Sequence, residues 1–393
     1  MFQYQVPKIN LIFGYGALEK LPYEVKKFGK KAMIVTGKNS MKKLGFLDKA
    51  INELKKNNID VIHFGEVEPN PTVIIVDKGA RLAIQKKCDV IIGFGGGSSI
   101  DVAKAIAIMI AHPEAKSIWE FSPTNKKPKM ISSAIPVIAV NSTSGTGSHL
   151  TPYYVITNSD TNQKPGNGHN SIFPKVSIVD LDVVSKMPPG LTAESGFDVM
   201  AHVMEGLISS NSTPFSDIYA LEAIRLVWDY LPIAYNDGKQ MEAREKMALA
   251  DCLAGWVLTT ADSELPHALA HPITGFYPEI SHGMSLAMIM PSIIRLNIEH
   301  GSDRIIKKYC LAAERMGGKC NSSGEKDALK AADKIEELCK NINLNKKLKE
   351  FNVKEENLSQ MAKSCMETMF EDFKRGPVQP SIKDIYNIYK ENY

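Results

Sequence analysis

Residues 91–105 read IIGFGGGSSIDVAKA, an apolar run, three successive glycines at Gly95, Gly96 and Gly97, and then a helix-forming stretch. That order is a strand, a tight turn and a helix start. Glycines in such a turn let backbone N–H groups come close to a phosphate, and the helix N-terminus favours its negative charge. The pattern is not G-x-G-x-x-G, because position 98 is Ser98, and it lacks the G-K-[ST] ending of a P-loop. A plain βα turn would also carry glycine, but three in a row after a buried-type strand favour phosphate.

The same alternation continues to either side. KAMIVT (31–36), DVIHFG (60–65), AIPVIAV (134–140) and VSIVD (176–180) read as strands, while 47–58, 71–87 and 98–112 read as helices. Strands alternating with helices imply a mostly parallel sheet covered on both faces. A second small-residue loop, NSTSGTGSH (141–149), follows the strand at 134–140. Ligands of open α/β sheets bind outside the carboxyl ends of strands, so the two loops are expected to face one crevice. Beyond Met187-Pro188-Pro189-Gly190 no period-two run is found. Helical patterns cover 192–209, 215–230, 241–261, 284–299, 303–316, 325–341 and 357–371, with Thr192 as the expected cap of the first. The expected organisation is an α/β dinucleotide-binding domain over 1–186 and an all-helical catalytic domain over 187–393.

A length of 393 residues fits about two domains. With 44% hydrophobic and 23% charged residues and a net charge of +3, bulk electrostatics give no nucleic-acid or membrane surface. The six cysteines, Cys88, Cys252, Cys310, Cys320, Cys339 and Cys365, form no C-x-x-C pair and read as free thiols of a reducing compartment. The N-terminus lacks a basic start followed by an apolar run, and no stretch nears the roughly 18 apolar residues of a membrane span, so a cytoplasmic location is expected.

The helical half carries a split set of metal-ligand residue types. Asp198 and His202 are four apart and share a helix face. His267, His271 and His282 lie within sixteen residues, in a chain with nine histidines in all. An Asp–His pair alone is more often a hydrogen bond than a metal site. The later histidine cluster shifts the balance to a divalent cation held by four of these five residues, with the fifth left for acid–base work. Pro272 is expected to end or kink the helix after His271 and to leave His282 on a loop. There is no H-E-x-x-H, which argues against a zincin protease.

These segments, together with LIFGYGALEKL, FPKVSIVD and MPPGLTAESGFDVMAHVMEG, resemble the iron-containing (group III) alcohol dehydrogenases nearly end to end. The resemblance implies a Rossmann-like domain joined to a helical domain, in the architecture shared with dehydroquinate synthase. It implies metal ligands at Asp198, His202, His267 and His282, with Fe²⁺ expected and Zn²⁺ as the alternative, and a proton-relay position at His271. Gly96, Gly97, Ser98 and Asp101 match the pyrophosphate turn, Ser142, Thr143 and Thr146 the second nucleotide loop, and Lys164 a lysine near the cofactor. The implied chemistry is hydride transfer between NAD(P)(H) and a small primary alcohol or aldehyde. A glycerol-type polyol dehydrogenase and a dehydroquinate synthase-like lyase are the rival readings. Many NAD-using members place Asp after the first strand, where this chain has Gly37. Glycine there removes a carboxylate that would repel a 2′-phosphate, with Lys38 beside it to help, so NADP(H) is expected over NAD(H). A homo-oligomer is expected as the common state of such enzymes.

Overall fold

Short aliphatic runs with both faces covered build the sheet. The computed structural model describes residues 8–322, 324–368 and 373–393. Its strands are β1 (Asn10–Gly14), β2 (Lys31–Gly37), β3 (Asp60–Val67), β4 (Val90–Gly95), β5 (Val137–Asn141), β6 (Tyr153–Val155), β7 (Gly166–Gly168) and β8 (Val176–Asp180). Six of them form one sheet in the order β1-β8-β5-β4-β2-β3, and all its pairings are parallel. Side chains alternate across it: Met33, Val35 and Ile91 enter one apolar cluster, while Ala32, Ile34, Val90 and Ile92 enter the other. Burial on both faces is why these strands read as unbroken apolar runs.

Helices of ten residues or more are numbered α1 (Phe46–Lys56), α2 (Val73–Lys86), α3 (Gly97–Ala111), α4 (Pro189–Ile208), α5 (Pro214–Asn236), α6 (Met241–Ala261), α7 (Leu265–Phe276), α8 (His282–His300), α9 (Asp303–Arg315), α10 (Lys330–Asn341), α11 (Leu358–Thr368) and α12 (Ile382–Glu391). The first three flank the sheet. The other nine share one apolar core that includes Phe197, Leu207, Leu269, Ile289 and Leu338. The described chain divides into two compact units, one of them containing 8–143 and 148–186, the other containing Ser144–Gly147 and the described residues from Met187 on. The loop at 141–149 is thus divided: Ser142 and Thr143 belong to the α/β unit, and Thr146 to the helical one.

Several sequence expectations are corrected. β1, at the sheet edge, and the β6–β7 hairpin have no counterpart among the expected strands; all three are short and lack a long aliphatic run. Thr192 is not the cap of α4. Pro188 takes that place with Pro189 at the first helical position, where a fixed φ is already helical. Thr192 sits one turn inside and donates to the Pro188 carbonyl at 3.0 Å. Pro272 does not end its helix: α7 continues to Phe276. The carbonyl that Pro272 leaves without a donor is that of Ala268, and the Cys365 thiol donates to it at 3.1 Å. His282 is accordingly not on a loop but opens α8, which is capped by Ser281. The expected helix at 325–341 is broken at Leu329 into Glu325–Ala328 and α10. That at 357–371 is seen as α11, and 369–372 lie outside the described residues.

Candidate functional site

In the α/β unit the chain runs from β2 outward to β3, then returns across β2 to β4 and on to β5. The order in which strands are added therefore reverses between β2 and β4, the kind of place where α/β folds bind ligands beyond the strand ends. β2 ends at Gly37 and β4 at Gly95. Gly95 has φ +154°, and a Cβ there would meet Ser99 Oγ at 2.6 Å, so only glycine fits the turn into α3. Gly96 is the extended cap residue, and Gly97 and Ser98 open the helix with their backbone N–H groups. The next loop abuts this turn: a Cβ on Gly96 would lie 3.0 Å from Thr143, and Ser142 N donates to the Gly95 carbonyl at 3.0 Å.

Asp101 is engaged elsewhere. Its carboxylate accepts from Ser148 Oγ at 2.5 Å and Val155 N at 3.0 Å, and burial pushes its pKa up. Buried Lys104, one turn on, donates to Ser148 O, Ser148 Oγ and Tyr153 O. Together they tie segment 148–155 to α3. Lys164 donates to Asn70 Oδ1 at 2.7 Å and lies near enough to act on the Asp101 carboxyl. Lys38 is not free beside Gly37, because its ammonium pairs with Glu68.

In the helical unit Asp198 and His202 project from one face of α4, buried. His267 stands in the first turn of α7, and His282 is the first residue of α8. Gly283 explains why α8 can begin there. A Cβ on it would fall 2.0 Å from the Glu194 carbonyl, so the start of α8 lies directly on the backbone of α4. The three Nε2 atoms converge on one oxygen, Asp198 Oδ1, at 3.3 Å for His267 and 3.7 Å for both His202 and His282. Donor atoms of Asp198, His267 and His282 lie within 4.8 Å of one another. His202 joins them through Asp198 and by stacking on His267, centroids 4.3 Å apart and planes 12° apart.

Two separations of 3.7 Å are too long for hydrogen bonds. They suit ligands around one cation, since bonds of about 2.1 Å in a tetrahedron put neighbouring donors roughly 3.4 Å apart. Burial lowers His202 to about 4, so its ring is neutral and able to ligate near pH 7. For His267 burial works the same way, but the Glu205 and Asp198 carboxylates prevail and raise it to about 10 in the metal-free protein. Binding a cation there displaces that proton. The mixed imidazole and carboxylate set fits Fe²⁺. His271 stands apart, its ring 5.4 Å from that of His282 and 6.4 Å from that of His267.

Sequence reasoning passed over Glu205. Its carboxylate accepts from His267 Nδ1 at 2.6 Å and His267 N at 2.8 Å, and it is 1% exposed. The signal was present: Glu205 is seven residues after Asp198 and three after His202, on the same face of α4.

Comparison with known proteins agrees with both halves. The model for "Iron-containing alcohol dehydrogenase" matches residues 7–181, and that for "Fe-containing alcohol dehydrogenase family, C-terminal" matches 192–393. The NADPH-dependent butanol dehydrogenase of Clostridium saccharobutylicum is 36% identical over 91% of this chain and 88% of its own. The NAD-dependent methanol dehydrogenase of Bacillus methanolicus is 31% identical over 99% of each. The crystal structure of an archaeal halo-thermophilic alcohol dehydrogenase from a Red Sea brine pool superposes with a TM-score of 0.97 at 44% identity, covering 100% of this chain and 99% of that one. With both family models matched and relatives of this similarity along its whole length, the chain belongs to the iron-containing alcohol dehydrogenase family, whose members use iron and NAD(P).

Proposed function

We propose that this alcohol dehydrogenase moves hydride between NADP(H) and a small primary alcohol or aldehyde, with Fe²⁺ held by Asp198, His202, His267 and His282. The observation that carries the metal assignment is the convergence of three imidazole Nε2 atoms on Asp198 Oδ1. Bound there, iron supplies a Lewis acid for the substrate oxygen, and the nicotinamide supplies the hydride donor or acceptor. The chain's residues do the holding. Gly96, Gly97 and Ser98 present N–H groups to the pyrophosphate, and Ser142, Thr143 and Thr146 line the second nucleotide loop. Lys164 adds positive charge near the cofactor. Asp101 acts by fixing segment 148–155. His271, one turn beyond His267, is the residue assigned to passing the proton released or taken up by the substrate hydroxyl.

Gly37 supports the cofactor choice, since no carboxylate ends β2 to repel a 2′-phosphate. The relatives use either NADPH or NAD, so they leave that choice to Gly37. A homo-oligomer is part of the proposal, to be tested by light scattering. Among the described residues no helix is long and apolar enough to cross a membrane. The test of the proposed activity is a panel of C2–C4 aldehydes and diols with both reduced cofactors, followed by absorbance at 340 nm. The expected result is aldehyde reduction with kcat/KM at least about tenfold higher for NADPH than for NADH. Equal or higher values with NADH refute the cofactor reading.

A further inference from the structure

Glu205 does two jobs with one carboxylate. Oε2 accepts the Nδ1 proton of His267 at 2.6 Å, and Oε1 accepts the backbone N–H of the same residue at 2.8 Å. Oε2 also lies 3.4 Å from Glu264 N. These backbone groups belong to the first turn of α7, whose own cap residue, Glu264, makes no side-chain cap. Glu264 is fully buried, yet neither of its oxygens has a hydrogen-bond partner among the described residues. The helix start is therefore capped from α4, by the residue that also receives the ring proton. A negative charge at a helix N-terminus is favourable, which helps a carboxylate survive full burial.

The geometry points to Glu205 as the positioning residue of the metal centre, acting through His267 and resting on the metal reading above. A neutral imidazole carries its single proton on either nitrogen, and only the form with the proton on Nδ1 offers an Nε2 lone pair. Glu205 holds the proton on Nδ1 and turns Nε2 toward Asp198, while the cap fixes the backbone from which the ring projects. α4 thus carries Asp198, His202 and Glu205 on one face, two facing the cation and one behind it. Partners that orient a ligating histidine typically contribute 10- to 100-fold in metal affinity.

Glu205→Gln tests this. The amide has one acceptor oxygen where the carboxylate has two, so either the His267 N–H or its Nδ1–H loses its partner. Metal-free full-length protein is titrated with Co²⁺ against a competing chelator, and bound Co²⁺ is read from its visible absorption. Thermal unfolding of the metal-free proteins is followed alongside. The expected result is a Co²⁺ affinity about 10- to 100-fold weaker in E205Q. In a His267→Ala background E205Q should add no further loss, because its effect runs through that ring. An unchanged affinity in E205Q overturns the proposal. So does an equal loss in both backgrounds, which marks Glu205 as general packing. If wild type takes up no Co²⁺, the metal reading fails and this proposal with it; if wild type binds and E205Q matches it, only the positioning role fails. Should E205Q not fold, Glu205→Asp, which keeps the charge and withdraws it by one methylene, goes through the same titration with the same outcomes.

Discussion

Gly37 matters for what it lacks. It ends β2, and a Cβ placed there would meet only the Val67 carbonyl, at an ordinary 3.6 Å. Gly37→Asp therefore fits without strain and adds one carboxylate where the adenosine ribose is expected. Steady-state kinetics should show kcat/KM for NADPH falling about tenfold or more while NADH is used at least as well as before, a shift of roughly 1.4 kcal/mol or more in preference. An unaltered preference would mean that position 37 does not read the 2′-phosphate. Some of this was legible in the residues, since a glycine at a strand end shows directly that no carboxylate stands there. The state of Lys38 was not: its pairing with Glu68 depends on the register of β2 against β3. Glu205 was hidden for a similar reason. Its partner is 62 positions away, and a glutamate on a helix face reads as a solvated charge until the neighbouring helix is known.

Two helix starts and the middle of α4 supply the proposed metal ligands. His267 and His282 both sit in first turns, where small changes in how a helix begins move a side chain furthest. Gly283 sets the approach of α8 to α4, with Glu194 backbone atoms 2.0, 2.6 and 2.8 Å from where a Cβ would stand. Gly283→Ala must push the two helices apart. It should lower stability by about 1–3 kcal/mol, the usual range for overpacking, and weaken metal retention during dialysis against chelator at least about tenfold. Wild-type retention in G283A would show that His282 does not depend on that contact. Apolar periodicity announced most of these helices, because their buried faces repeat every three to four residues. At α7 the helix does not end at Pro272, because the rule that proline ends a helix assumes a freed carbonyl with no other donor. Here Cys365 on α11 donates to Ala268 O, and Tyr389 on α12 donates to Leu269 O at 2.7 Å, neither of which local sequence can reveal.

Across the whole molecule, buried histidines make stability depend on pH. His149 is held down to about 3 by burial and by the nearby Lys104 charge, against an ordinary value of 6.5. As pH falls through 6.5 the unfolded chain takes up a proton that the folded chain refuses until about pH 3. The unfolded state thus binds more protons in that window, and stability declines as pH drops across it. His149→Gln removes this contribution, and urea unfolding of metal-free protein between pH 6.5 and 4 should show a slope shallower by up to about 1.4 kcal/mol per pH unit. An identical slope would mean that His149 is not kept neutral. The two-part architecture was largely readable, since the change from alternating strands and helices to helices alone falls at Pro188-Pro189. The assignment of Ser144–Gly147 to the helical unit was not, because it rests on contacts such as Gly147 N to Asp251 Oδ1 across 104 positions.

Asp198, His202, His267 and His282 are proposed to bind one iron. Anomalous diffraction at the iron edge, from crystals of protein grown and purified with Fe²⁺ under anaerobic conditions, tests it directly. One strong peak per chain is expected, within about 2.0–2.3 Å of Asp198 Oδ1 and of the three Nε2 atoms. A peak bonded to other residues, or none in protein that reduces aldehydes at full rate, would contradict it.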